Sequence, residues 1–234
     1  MHKHNPKQDG SNVFDCKPQS GKCPMNCNQC FYNREDAFYV DRDSPWMPPL
    51  EDVGDGIMRV NSGHDSNCQR SFVIDQTEQY SKRFFNTSIP KFEFPGPVVF
   101  TANPKEEERA VLPMDVEPVP ENIMFVRLRV SSTNLEFVEN AASCWSAVGV
   151  PVVLTFMAYY DHEPECPENY EWKQRHINSY WCPTPKFLSD TLQQIREYAG
   201  RSVTLCGSVN EYKCMSCRNC ETYYYQTVKR MRGE

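Results

Sequence analysis

Apolar and β-branched residues gather in seven short runs, at 12–16, 56–61, 83–88, 97–103, 123–130, 152–159 and 202–206, each short enough for a single strand. Three stretches between them carry a helical period instead. Asp65 or Ser66 can cap a helix reaching about Lys82, with Phe72, Val73, Thr77 and Tyr80 turned inward. Thr133-Asn134-Leu135-Glu136 reads as a capping box opening a helix with Leu135, Val138, Ala142 and Trp145 on one face, stopped by Gly149. Thr184-Pro185 starts a third helix, with Leu188, Leu192, Ile195 and Ala199 buried and Gly200 at its end. A strand follows each helix, as expected of β/α units around a parallel sheet. Ligands in such architectures bind beyond the carboxyl ends of the strands, so candidate chemistry is sought there.

Composition narrows this picture. At 234 residues the chain can bury one large core, and no internal repeat or low-complexity linker divides it. No run of eighteen apolar residues indicates a membrane span. Met1-His2-Lys3-His4-Asn5 lacks the apolar stretch of a signal peptide, which points to a cytoplasmic protein. Twelve cysteines in such a chain suggest metal or catalysis more than disulfides. The formal net charge of −6 speaks against a broad nucleic-acid-binding surface, and Lys229-Arg230-Met231-Arg232 reads as a solvated basic tail.

The cysteines fall into two groups. Cys23, Cys27 and Cys30 stand at C-x3-C-x2-C and are followed by Phe31 and Tyr32. A [4Fe–4S] cluster takes one thiolate per iron, so three cysteines leave one iron open to a ligand that is not protein. A zinc knuckle is the alternative for the same residues. In this motif the chain resembles the radical S-adenosylmethionine (SAM) enzymes. The resemblance implies a partial (β/α)6 TIM-like barrel, SAM chelated at the open iron, and reductive cleavage to a 5′-deoxyadenosyl radical that takes hydrogen from substrate. An electron donor such as flavodoxin or ferredoxin is implied with it. Seven candidate strands are one more than such a barrel needs.

Many members of that family carry Gly-Gly-Glu after the second strand, and this chain does not. Ser62-Gly63-His64-Asp65 stands in that place, with Asp65 as a candidate partner for the SAM ammonium or, alternatively, a plain helix cap. Uncharged polar groups close the next strands: Asn86 and Ser88, Asn103, and Ser131. They suit ribose hydroxyls and an adenine edge, and serve equally as turns. Arg127 and Arg129 share one face of their strand, and Arg129 is a candidate for the SAM carboxylate if that face is the lumen. Tyr159, Tyr160, Asp161 and His162 are possible substrate contacts, and residues 169–176 a possible lid.

The second group is Cys206, Cys214, Cys217 and Cys220, the last three at C-x2-C-x2-C. A full set of four suits an auxiliary [4Fe–4S] cluster, with four-thiolate zinc as the rival. Cys16 is a conceivable extra ligand near the first loop, and Cys144 reads as core. The chain therefore divides into a polar leader (1–11), a core (12–206) and a C-terminal cysteine-rich segment and tail (207–234). The size of the core favours a small metabolite, nucleoside or peptide residue as substrate over a large folded RNA. A non-catalytic electron carrier or zinc-binding interaction module is the alternative from another class.

Overall fold

A computed structural model describes residues 6–27, 29, 30, 32, 43–105, 109–160, 168–174, 179–211 and 213–234. In chain order the elements are β1 (Val13–Cys16), α1 (Leu50–Val53), β2 (Ile57–Val60), α2 (Arg70–Thr77), β3 (Arg83–Thr87), β4 (Val98–Thr101), β5 (Ile123–Val130) and α3 (Leu135–Ala147). They continue with β6 (Val152–Phe156), β7 (Tyr170–Lys173), β8 (Tyr180–Pro183), α4 (Pro185–Ala199), β9 (Val203–Leu205), α5 (Cys214–Cys217) and α6 (Asn219–Met231). All seven expected strands form and lie side by side in sequence order, β1-β2-β3-β4-β5-β6-β9, every pair parallel. The sheet curls into a half-barrel of seven strands rather than six.

Alternation within each strand assigns the two faces. Met58, Val60, Phe85, Phe100, Val126, Leu128, Leu154 and Leu205 face the crossover helices and form the larger core. Helices α3 and α4 bury Val138, Ala141, Trp145, Leu188 and Ile195 on that side. The β3–β4 crossover has no helix. Phe92 and Phe94 fill its place, each 7% exposed, with Phe94 stacked on Phe85 at 4.7 Å and Phe92 edge-on to Phe100 at 5.2 Å.

The inner face is apolar near the strand starts and polar near their ends. Val13, Ile57, Phe84, Val99, Phe125 and Val153 form a second core, and α6 packs upon it through Tyr223 and Tyr224. This helix spans the sheet from end to end. Asn219 Nδ2 donates to the Leu205 carbonyl at 2.6 Å at the top, while Arg230 donates to the Glu121 and Ile123 carbonyls at 2.8 and 2.6 Å at the bottom. The expected basic tail is exposed, but it is the last turn of a packed helix, with Arg230 one of its fastenings.

Two helix expectations need correction. The segment after β2 does not become helical until Arg70, because Gln69 takes a left-handed φ of 63° and Asp65 spends its carboxylate on other donors. Phe72 is 44% exposed there, not inward, whereas Val73, Thr77 and Tyr80 are buried. The capping box before α3 also fails to form. Asn134 occupies the cap position and turns its amide back to β5, accepting the Ser131 N–H at 2.9 Å and donating to the Arg129 carbonyl at 3.1 Å.

Helix α4 follows the sequence closely: Thr184 caps it by accepting the Phe187 N–H at 3.2 Å, Pro185 opens it and Gly200 ends it. Thr184→Ala is expected to lower stability by about 1 kcal/mol, the usual cost of a lost cap, read as a reduced urea midpoint at unchanged slope.

Candidate functional site

Strand β1 leads directly into the first cysteine loop. That loop is closed at its base, where Lys17 and Trp46 exchange backbone hydrogen bonds of 2.8 and 2.7 Å and Gly21 N–H donates to the Asp43 carbonyl at 2.6 Å. Gln19 ties it sideways to the next strand end, donating to the carbonyls of Asp65 and Cys68 at 3.2 and 2.8 Å. Within the loop, Asn26 and Gln29 take positive φ values of 42° and 52°, one just before Cys27 and the other just before Cys30. These left-handed turns bend the chain at each cysteine. Asn28 and Phe31 lie outside the described residues.

The aromatic residue after the triad is seated against the loop that follows β2. Tyr32 O–H donates to Ser62 Oγ at 3.0 Å, and the ring lies so close to Gly63 that a Cβ there would come within 2.2 Å of it. Glycine at 63 is therefore required by close approach, since any side chain would displace the ring.

Asp65 is 4% exposed and links two strand ends. Its carboxylate accepts Thr87 Oγ1–H at 2.8 Å, Asn67 N–H at 2.9 Å and Ser88 N–H at 2.6 Å. A carboxylate has about four acceptor positions, so one is left over. The helix-cap expectation for Asp65 is overturned. Asn103 is fully buried and engaged at both ends of its amide, donating to the Arg129 carbonyl at 2.8 Å and accepting the Arg129 N–H at 2.7 Å. Asn86 donates to the Val60 carbonyl at 2.8 Å. Ser131 is buried, with its hydroxyl 3.0 Å from that of Thr133. Asn103 and Ser131 thus join the ends of β4, β5 and α3.

Arg129 lies on the inner face, donating to the Pro104 carbonyl and, at 3.1 Å, to Met157 Sδ. Burial raises the Cys27 thiol pKa; nearby Cys30 adds to this, the Arg129 guanidinium opposes it, and Asp65 raises it further. Cys23 is pushed up to about 11 by burial, partly offset by the Met25 backbone, with Cys68 and Asp65 adding to the rise. The fold thus brings Cys23, Cys27, Asp65 and Arg129 to one end of the half-barrel. Cys68 joins them, unanticipated from sequence, because a single cysteine in a turn gives no spacing to read.

His64 also sits here, its Nδ1 accepting the Asp65 N–H at 2.9 Å. Burial holds its pKa below the ordinary 6.5, with the Asp65 backbone opposing that shift. The unfolded chain therefore takes up the proton first as pH falls. The stability His64 contributes is complete above about pH 6.5 and is lost as pH drops through the lower folded value. His64→Asn is expected to flatten that acid limb, checked by urea midpoints from about pH 7 down to 5.

The second group gathers over the inner face, reaching from the end of β9 back towards β1 and β2. Cys206 follows β9, Cys214 and Cys217 lie on α5, and Cys220 opens α6. They face a polar inner surface on which Arg59 makes a bidentate pair with Asp15, Nη2 to Oδ2 at 2.9 Å, with both side chains nearly buried. Burial pushes Cys220 up to about 12, while Arg59 and Arg127 pull it down. Cys214 is likewise raised by burial and lowered by Arg59. These donors are soft sulfur ligands beside buried positive charge, a chemistry that fits a metal–thiolate centre. Among the described residues, no three or more His, Cys, Asp or Glu side chains converge as a single metal ion requires.

Other cysteines are placed elsewhere. Cys16 is 1% exposed in the outer core, where burial raises its pKa well beyond the ordinary range, so it is packing and not an extra ligand. Cys144 is only partly buried, against the core edge. Cys182 is buried on β8, and Cys166 lies outside the described residues.

The expected lid is in part regular structure. Strands β7 and β8 pair antiparallel, Trp172 packs on Trp181 at 5.1 Å, and Tyr159 bridges to Trp181 beyond the end of β6. Asp161, His162, Arg175 and His176 lie outside the described residues. No protein-family model, curated protein or solved structure matches the chain. No helix among the described residues is long and apolar enough to cross a membrane.

Proposed function

We propose that the protein is a radical SAM enzyme, with a [4Fe–4S] cluster on Cys23, Cys27 and Cys30 and an auxiliary cluster on Cys206, Cys214, Cys217 and Cys220. The supporting observation is positional. The C-x3-C-x2-C loop leaves the carboxyl end of the first strand of a curled parallel sheet, where Asp65 and Arg129 stand near its thiols. When bound, the cluster and SAM would supply the electron and the 5′-deoxyadenosyl radical.

The chain's own residues then have definable tasks. Asp65 presents buried negative charge for the SAM ammonium, with one acceptor position left after its three internal bonds. Arg129 presents a guanidinium for the SAM carboxylate from the inner face of β5. Ser62, Asn86, Ser88, Asn103 and Ser131 shape the strand-end rim. Asn86, Asn103 and Ser131 do so through internal bonds and Ser62 accepts Tyr32 O–H, which leaves the Ser88 hydroxyl the better placed for ribose contact. Helix α6 closes the lower lumen and keeps water from it. The substrate in this reading is a small metabolite, nucleoside or peptide residue entering from the strand ends.

SAM added to the reduced, anaerobically reconstituted protein tests this directly. The electron paramagnetic resonance signal lost in Cys27→Ala is expected to change on adding SAM, and the remaining signal to stay as it was. A SAM-insensitive spectrum for both centres would refute the open-iron reading.

A further inference from the structure

Among the described residues, three arginines line the inner face. Arg59 is neutralised by Asp15, and Arg129 is engaged by Pro104 and Met157 near the first loop. Arg127 differs. It stands in register between Thr101 of β4 and Val153 of β6, with its Cζ 6.0 Å from the Phe125 ring and Nη2 donating to Asn86 Oδ1 at 3.4 Å. Among the described residues it has no carboxylate partner. A guanidinium drawn out of water without an anion costs several kcal/mol.

The fold delivers cysteines to that side of the sheet. Cys220 packs against the inner core that contains Phe125, Tyr223 of the same helix lies 5.6 Å from the Phe125 ring, and Asn219 fastens the helix start to Leu205, the residue before Cys206. On the same face, the hydroxyls of Thr155 and Thr204 are buried with no hydrogen-bond partner. Val153 is in register with both Arg127 and Thr204 across three neighbouring strands. A half-buried cation and two spare hydroxyls therefore lie on the face of the sheet against which Cys220 packs.

We propose that Arg127 is the built-in counter-charge of an anionic metal–thiolate centre at Cys206, Cys214, Cys217 and Cys220, an inference that rests on the reading of those cysteines given above. Burial lowers the Arg127 pKa, and the groups that oppose this are first Cys206, then Cys220. Arg127 is a positioning residue: it touches no substrate and acts through the charge of the centre. Net charge and hydrogen bonding to sulfur set the reduction potential of an iron–sulfur cluster, so a neighbouring cation favours the more negative, reduced state.

The test is a redox titration followed by electron paramagnetic resonance, in full-length protein carrying Cys27→Ala so that only the second centre reports. Arg127→Gln and Arg127→Met are expected to lower the reduced-to-oxidised ratio about tenfold at fixed potential, or about 59 mV for one electron. Arg127→Lys, which keeps the charge, is expected to stay near the unsubstituted ratio. Should the Met variant not fold, the Gln variant, which retains a donor for Asn86 Oδ1, carries the comparison with Lys. An unchanged ratio in the neutral variants, or an equal fall in Lys, overturns the counter-charge. Failure of the underlying reading looks different: reconstituted wild-type protein would hold about four irons per chain, unaltered by Cys214→Ser.

Discussion

Cys27→Ala is expected to abolish SAM cleavage and to cut the iron bound per chain by about four, because a cubane on three thiolates cannot survive the loss of one. The fold should hardly notice. Cys27 lies on a loop outside both apolar cores, and the seven-stranded sheet makes no use of its side chain. Thermal unfolding is therefore expected to stay close to wild type in the metal-free state. Cys16→Ser should behave in the opposite way. That thiol is buried between β1 and the outer core, so the variant should lose stability while iron content is retained. Parallel iron assays and urea curves on the two variants check the contrast.

The second large effect concerns the ion pair in the lumen. Asp15→Asn keeps the shape of the side chain but leaves Arg59 charged and unpaired at 12% exposure, which is expected to cost about 3–5 kcal/mol. Replacing both partners with apolar residues, Asp15→Leu with Arg59→Met, should cost less than Asp15→Asn alone, because no orphaned charge remains. A urea double-mutant cycle measures this difference. Equal losses in the single and double variants would make packing, not charge, the reason for the pair.

Much of the scaffold is legible in the amino-acid order because each strand alternates between two buried faces. Runs such as Ile123–Val130 therefore stay apolar even where Arg127 and Arg129 interrupt them. Helix α4 is equally legible, since Thr184, Pro185 and Gly200 act locally. Readings failed where a side chain was claimed by a distant partner. Asp65 and Asn134 have the residue types of helix caps, yet both hydrogen-bond to neighbouring strand ends. The β7–β8 hairpin escaped notice because Glu171 and Lys173 alternate with the aromatics of β7, and β8 is a four-residue run ending in proline, too short to show a strand period.

The site divides in the same way. Spacing alone picks out both cysteine groups, but it says nothing of what surrounds them. The Asp15–Arg59 pair joins residues 44 apart, and Cys68 approaches Cys23 only through the folding of two loops. Gly63 is a further case, for its need appears only once the Tyr32 ring lies against it.

The quantity that bears most directly on the account is 5′-deoxyadenosine, measured after anaerobic reconstitution with iron and sulfide, reduction with dithionite and incubation with SAM. The wild-type protein is expected to form it and Cys27→Ala to form none. A reconstituted wild-type protein that carries its iron yet yields no 5′-deoxyadenosine would contradict the account.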